Sequence, residues 1–354
     1  MSTTRGYLNL LRSAQVGVGL VGILLFCANA PATAQANCGK PPVEIFVDGF
    51  RDLPYPPAPS PPPTVVLPSE ATPLTVAITS PSNGYSTRRN DVEVRGTFSG
   101  PPNTGIRVNG RAPLVHGNNF VLPNLKLPDG ASVIEARVES MTGSSLVASA
   151  NVTVDSGAPV VPLVLSVDRA GGFAPMPISF SWATATAMTF DRLQFDYDGD
   201  GNFDLDTATT STALRFNYST PGIYNARIRL TTPAPESLAL EATRQVVSTN
   251  SNYVRATLCY VFERMRSRLA ASDVAGALES LHPSIQPRFS TFWGANVAQL
   301  PTIAAALGDV ATGTLGIDSA QLMVTRSVEG QQEPDAFFIN FEQDVDGIWH
   351  ISGM

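Results

Sequence analysis

The feature that most limits the folds open to this chain is the run from Leu193 to Asp204. Leu193, Phe195 and Tyr197 alternate with Gln194, Asp196 and Asp198, the two-residue period of a half-buried strand. Gly199 and Gly201 follow, and glycine admits backbone conformations closed to a residue with a Cβ. The strand must therefore turn there. The same period sets Asp196, Asp198 and Asp200 on one face, with Asp204 and Asp206 just beyond. No basic residue lies between Arg192 and Arg215, so these close carboxylates have no local counter-charge. A hard cation relieves such repulsion, and calcium takes its ligands from oxygens, several of them carboxylates.

The order Asp-x-Asp-x-Asp-Gly from Asp196 to Gly201 is that of the start of an EF-hand loop. Thr207 stands at the twelfth position, where that loop needs a bidentate Glu, and helical flanks are not evident, so the motif is incomplete. The sequence predicts a calcium site built from Asp196, Asp198, Asp200 and Asp204, completed by carbonyls or water. The competing reading is a solvated acidic turn.

Residues 1–36 read as a secretory signal. Arg5 and Arg12 supply a positive n-region before an apolar core from Val16 to Ala28, and Ala32-Thr33-Ala34 and Ala34-Gln35-Ala36 are small-x-small cleavage sites. The core is short for a membrane span of about 20 residues, so no stable span is expected after cleavage. Phe26 before Cys27 does not match a lipoprotein signal. Cleavage leaves Cys38 and Cys259, which an exported chain can pair; a buried, unpaired Cys259 in a helix is the alternative. The chain has 354 residues and a net charge of −7. With no basic stripe, it is not expected to bind nucleic acid or an anionic membrane.

Residues 37–72 form a proline-rich linker. Seven of the ten residues in 54–63, PYPPAPSPPP, are proline, which predicts an extended, stiff spacer. Residues 73–155 carry short alternating runs (Leu74, Val76, Ile78; Val92, Val94; Ile106, Val108; Ile134, Ala136, Val138; Val152, Val154) separated by Asn109-Gly110 and Asp129-Gly130. Several strands at this spacing predict a β-sandwich. Ile78 to Gly84, Val94 to Thr97 and Val108 to Gly110 resemble bacterial immunoglobulin-like repeats of secreted proteins. Residues 160–249 predict a second β-module. Phe195 to Gly201 and Tyr218 to Tyr224 are similar to the PKD (polycystic kidney disease-type) domain. That resemblance implies a non-catalytic sandwich used for binding, adhesion and spacing. Pro221-Gly222 suits the centre of a type II turn, with Gly222 at positive φ.

Residues 251–354 change character. Val254, Leu258, Val261, Met265 and Leu269 make one helical stripe, with Arg255, Arg264, Arg266 and Arg268 mainly off it, on an expected solvated face. Ser272 is the expected N-cap of a second helix ended by His282-Pro283, and a third helical piece lies within 289–307, with Pro301 near a start and Gly308 as a stop. Strands are expected over 321–328, 336–345 and 348–353, the last two joined at Asp346-Gly347. Helices followed by a sheet predict an α+β layer. The order, and Gly347 to Ile351, resemble the nuclear-transport-factor-like fold, a curved antiparallel sheet packed on helices. Some members of that fold bind ligands or catalyse in the cone, and many only dimerise.

Little in the sequence points to catalysis. His116, His282 and His350 fall in different contexts without zinc spacing. No Gly-x-Ser-x-Gly elbow and no phosphate loop is present. His350 with Asp335, Glu342 or Asp344 is a candidate acid/base group, against a plain strand histidine. Trp349, Phe338 and Phe292 are candidate pocket aromatics, against plain core. The reading is a multi-domain chain of two immunoglobulin-like sandwiches and an α+β domain, secreted or at the periplasmic or cell surface. It binds or scaffolds and is not an enzyme. Its partners are an extracellular protein or glycan, or a second copy through the C-terminal domain. The rivals are an enzyme with its site in the C-terminal cone and a purely structural surface-assembly component.

Overall fold

The structure is a computed structural model that describes residue 38 and residues 65–155, 163–210, 213–326 and 334–354. The predicted signal and most of the proline-rich linker lie outside the described residues. Those described belong to one compact unit, Ala34–Met354, and are mostly strand.

The first eight strands are β1 (Thr75–Ser80), β2 (Tyr85–Thr87), β3 (Asp91–Ser99), β4 (Gly105–Val108), β5 (Leu114–His116), β6 (Asn119–Lys126), β7 (Gly130–Glu139) and β8 (Ser145–Val154). They form two four-stranded sheets in the orders β1-β3-β6-β5 and β2-β8-β7-β4. Alternate residues point inward, so Val92, Val94, Phe120, Ile106, Val108, Ile134, Ala136 and Val152 make one core between the sheets. That alternation is why these segments form a sandwich. Asn109 and Gly110 both take positive φ (46° and 74°), and Val108 and Arg111 exchange both backbone hydrogen bonds around them, as the tight hairpin predicts. Pro123 in β6 cannot donate to β3. The ladder shifts register between Val92 and Val94, and a bulge accommodates the missing donor.

The next eight are β9 (Leu163–Val167), β10 (Gly171–Phe173), β11 (Met176–Thr184), β12 (Arg192–Asp196), β13 (Leu205–Thr207), β14 (Leu214–Tyr218), β15 (Gly222–Thr231) and β16 (Ala239–Thr249). A five-stranded sheet, β10-β16-β15-β12-β13, faces a three-stranded one, β14-β11-β9. Phe180, Leu193, Phe195, Tyr197, Tyr218 and Ile228 fill the space between. The turn expected at Pro221-Gly222 is not there: Gly222 begins β15 and is not among the glycines with positive φ. Glycine leaves room there for a close neighbour. A Cβ on Gly222 would stand 3.2 Å from the Tyr224 ring, whose hydroxyl donates back to the Thr220 carbonyl at 2.8 Å.

After β16 come α1 (Ser251–Ala270), α2 (Val274–Leu278), α3 (Gln286–Ala295) and α4 (Leu300–Ala306), then β17 (Asp309–Leu315), β18 (Ser319–Arg326), β19 (Asp335–Gln343) and β20 (Trp349–Gly353). The four strands pair antiparallel in that order. The stripe Val254, Leu258, Val261, Met265 and Leu269 is buried against Leu322, Val324, Ile339, Phe341 and Ile351. The chain's basic residues on α1 are less solvated than their positions suggest. Arg264 is buried and donates to the Gly276 carbonyl (3.1 Å) and to Glu279 (2.6 Å), and burial pushes the Arg255 guanidinium pKa down. Asp273, not Ser272, caps α2 by accepting the Gly276 N–H. Ser272 takes φ 57° and terminates α1 instead. Strand β17 has no apolar alternation to announce it; Gly313 lies in its middle because a Cβ there would meet the Gln321 carbonyl at 2.5 Å.

Cys38 and Cys259 are disulfide-bonded, with Cα atoms 5.4 Å apart. The chain comes back to α1 again at Glu70, which accepts the Tyr260 hydroxyl at 3.0 Å. Burial, with that hydrogen bond, pushes the Tyr260 pKa up to about 12.

Candidate functional site

The acidic loop grows out of the end of β12. Gly199 and Gly201 take φ 77° and 99°, and a Cβ on Gly199 would also lie 2.7 Å from the Asn225 carbonyl oxygen. The loop folds the Asp196 carboxylate inward until it is 1% exposed. It accepts the N–H groups of Gly199 (2.7 Å) and Gly201 (3.2 Å). Asp204 accepts the Tyr197 N–H at 2.7 Å and Asp198 that of Asp200 at 3.1 Å. Carboxylate oxygens of Asp196, Asp198 and Asp204 all lie within 4.8 Å of one another, and these three form the one such grouping among the described residues.

Asp200 is not brought into this group. Its carboxylate accepts the Asn202 N–H (2.7 Å) and side-chain amide (3.0 Å), and these bonds hold its pKa below the usual carboxylate range. The counter-charge missing locally arrives across the sheet. Arg227 pairs with Asp196 in the β12–β15 register and brings its guanidinium to 3.4 Å. Arg192 bonds Asp206 in bidentate fashion (2.8 and 2.6 Å) and lowers its pKa to about 2. Arg227 and Arg229 also lie over the Phe203 ring, 4.7 and 4.9 Å from its centroid, and so pin the loop to β15.

A second locus joins the sandwiches to the helices and last sheet. Asn103, between β3 and β4, has φ 61° and is 6% exposed. Its amide donates to the Trp349 carbonyl (2.8 Å) and accepts the Trp349 N–H (2.9 Å), so one side chain satisfies both backbone groups that β20 turns away from β19. Gly105 lies against the β19–β20 turn; a Cβ there would stand 2.2 Å from the Asp346 carbonyl oxygen. Arg107 Nε lies 2.9 Å from Asp346 Oδ1, an ion contact whose angle is not that of a hydrogen bond, since this oxygen has no hydrogen-bond partner. The two sandwiches meet through Arg95, which donates to Asn225 at 2.7 Å, and through Glu93, which accepts from Gln245.

Asp344 organises the turn at this junction. One of its oxygens accepts the N–H groups of Asp346 (2.9 Å) and Ile348 (3.0 Å), and the other lies 3.1 Å from His350 Nε2. Burial opposes its charge, but the His350 bond and the two N–H bonds outweigh it and hold the carboxyl below its usual range. Of the three carboxylates considered for His350, Asp344 is the partner; Glu342 sits opposite His350 in the ladder and Asp335 pairs with Arg326. His282, expected in a separate context, has its ring 6.3 Å from that of His350.

The three candidate pocket aromatics are dispersed. Trp349 is buried at the junction, while Phe338 and Phe292 are 55% and 38% exposed. Sequence reading named Asp344 beside His350 but missed Asn103 and Gly105, which lie far before it in the chain and carry no local sign of the contact.

No protein-family model and no curated protein matches the sequence. Among solved structures the chain is similar to the fibronectin(III)-like modules of Clostridium thermocellum CbhA, at 13% identity and a TM-score of 0.19, over 50% of this chain and 95% of that one. It is similar to domains 5–6 of the S-layer protein SbsC at 10% identity and a TM-score of 0.23, over 51% and 99%. A third likeness, to dimeric latent PorU from Porphyromonas gingivalis, has 10% identity and a TM-score of 0.25, and spans 51% of this chain but only 20% of that one. At these scores the likeness adds nothing to what the paired sheets themselves establish. Among the described residues no helix is long and apolar enough to cross a membrane.

Proposed function

We propose that the chain is an exported, non-catalytic binding or scaffold protein of the cell surface, periplasm or medium. The observation that carries this reading is the Cys38–Cys259 disulfide, because such bonds persist in oxidising compartments and are rare in the cytosol. It agrees with the signal-like sequence at 1–36. In this reading residues 73–155 are an immunoglobulin-like sandwich, 160–249 a PKD-like sandwich and 251–354 a nuclear-transport-factor-like α+β domain. The junction at Asn103 makes them a rigid support for a binding face. Self-association is assigned to the outer face of the last sheet, where exposed Phe338 lies opposite Met323. Fractionation into medium, periplasm and cytoplasm, with thiol alkylation, tests the reading: recovery in the cytoplasm alone, with both thiols free, would refute it.

A second reading concerns calcium, and the clustering of Asp196, Asp198 and Asp204 oxygens supports it. These three are the proposed ligands, with Asp200, expected at the sequence level, bound only if it leaves Asn202. Calcium would draw the loop tighter by replacing carboxylate repulsion with coordination. A ligand that binds only the folded state raises stability by about 2.7 kcal/mol at a hundred times its dissociation constant. Melting in calcium against chelator should show that gain, and Asp198→Asn with Asp204→Asn should remove it. Identical melting of the unmodified chain in both would leave the loop as a hydrogen-bonded acidic turn.

A further inference from the structure

Where the first sandwich, the end of β16, the start of α1 and the β19–β20 turn come together, they leave a cleft of about 400 Å³. Its size falls within the range of about 300–1,000 Å³ of small-molecule sites, which favour boundaries between domains. Its walls are more apolar than polar: Phe98, Ile106, Leu114, Val254 and Trp349 line it, interspersed with polar side chains such as Ser99, His116, Asn118, Thr249 and Gln343. No Asp, Glu, Lys or Arg lines it; Arg107 and Asp346, paired at the same junction, are not among the lining residues.

Several polar groups on the walls are already committed. Asn103 is bonded to Trp349, Thr104 to the Pro101 carbonyl and Thr257 to the Tyr253 carbonyl. Tyr253, 41% exposed, stands with His116 and Asn118 on the lining. A charged ligand would meet no opposite charge there, and burying an unpaired charge is costly.

We infer that this junction cleft binds an uncharged, largely apolar small molecule carrying one or two hydrogen-bonding groups. The inference rests on the binding role proposed above and names a ligand class for it. It uses none of the acidic-loop residues, and it explains a use for coupling three modules that a spacer would not need.

The test uses the full mature, oxidised chain and N-phenyl-1-naphthylamine, an uncharged apolar fluorophore. Saturable uptake at one site per chain, insensitive to salt, is expected. Tyr253→Asp should weaken it at least about tenfold, the effect of about 1.4 kcal/mol. The change is placed in the first turn of α1, where a negative charge suits the helix dipole. Ile317→Asp, 47% exposed on the same lining, gives a second variant with the same expected loss. Val133→Asp, on an exposed part of β7 away from the lining, should bind as the parent does. Absence of saturable uptake, equal loss in Val133→Asp, or Tyr253-dependent binding of cellohexaose in place of the dye would overturn the inference. Failure here leaves export and the disulfide to be judged on their own assays.

Discussion

Replacing Asn103 by Ala removes the one side chain that satisfies both the N–H and the carbonyl of Trp349. Both groups lie in a junction where Asn103 itself is 6% exposed, beside the cleft that Asn103 and Trp349 also line, so the cost is set by how far water from the cleft replaces the lost bonds. A buried group left without a partner costs about 1–3 kcal/mol, giving about 2–6 kcal/mol for the pair. Alanine also inherits φ 61°, and a left-handed conformation costs a residue with a Cβ about 1–2 kcal/mol. Asn103→Gly loses the same bonds without that strain. Glycine should therefore be the milder replacement by about 1 kcal/mol, although it is usually the worse one. Denaturant unfolding followed by tryptophan fluorescence, with hydrogen exchange at the Trp349 amide, measures both effects. A change within about 0.5 kcal/mol for Asn103→Ala, the range of ordinary surface substitutions, with unaltered exchange at Trp349, would refute the reasoning.

Other outcomes follow from the same junction. Gly105→Ala puts a Cβ 2.2 Å from the Asp346 carbonyl oxygen; the β19–β20 turn must move, at a cost of about 1–3 kcal/mol, and exchange at Ile348 should rise. Asp344→Asn should destabilise the chain at neutral pH by about 1–2 kcal/mol through the weakened bond to His350. The parent carboxyl is depressed in the folded state, so its stabilisation is full above the ordinary value of 3.8 and is lost as pH falls through the depressed one. Parent and variant unfolding curves should therefore converge on the acid side.

Much of the sheet structure was legible because two-residue alternation survives in any half-buried strand. Val92 to Val94, Ile134 to Val138 and Leu193 to Tyr197 announce themselves in this way. Strand β17 did not, since glycine and threonine replace the apolar residues that carry the signal. Gly222 was misread because Pro-Gly has the chemistry of a turn, while the residue in fact begins β15 with a tyrosine ring packed close to it. In the acidic loop the crowding of Asp196, Asp198 and Asp204 was legible, but the turning away of Asp200 to Asn202 and the counter-charge were not, because Arg227 reaches Asp196 through strand register and not through sequence proximity. The junction was hidden for the same reason on a larger scale: a side chain at 103 completes a strand at 349, and nothing local to either residue says so.

The account depends most on the chain being exported and closed on itself at Cys38 and Cys259. Peptide mapping of protein recovered from the medium or the cell envelope, alkylated and digested without reduction, tests this directly. The account predicts a mature start at Gln35 or Asn37 and a single cross-linked species joining the peptides of Cys38 and Cys259, which separates on reduction. An intact Met1 with both cysteines alkylated as free thiols would contradict it.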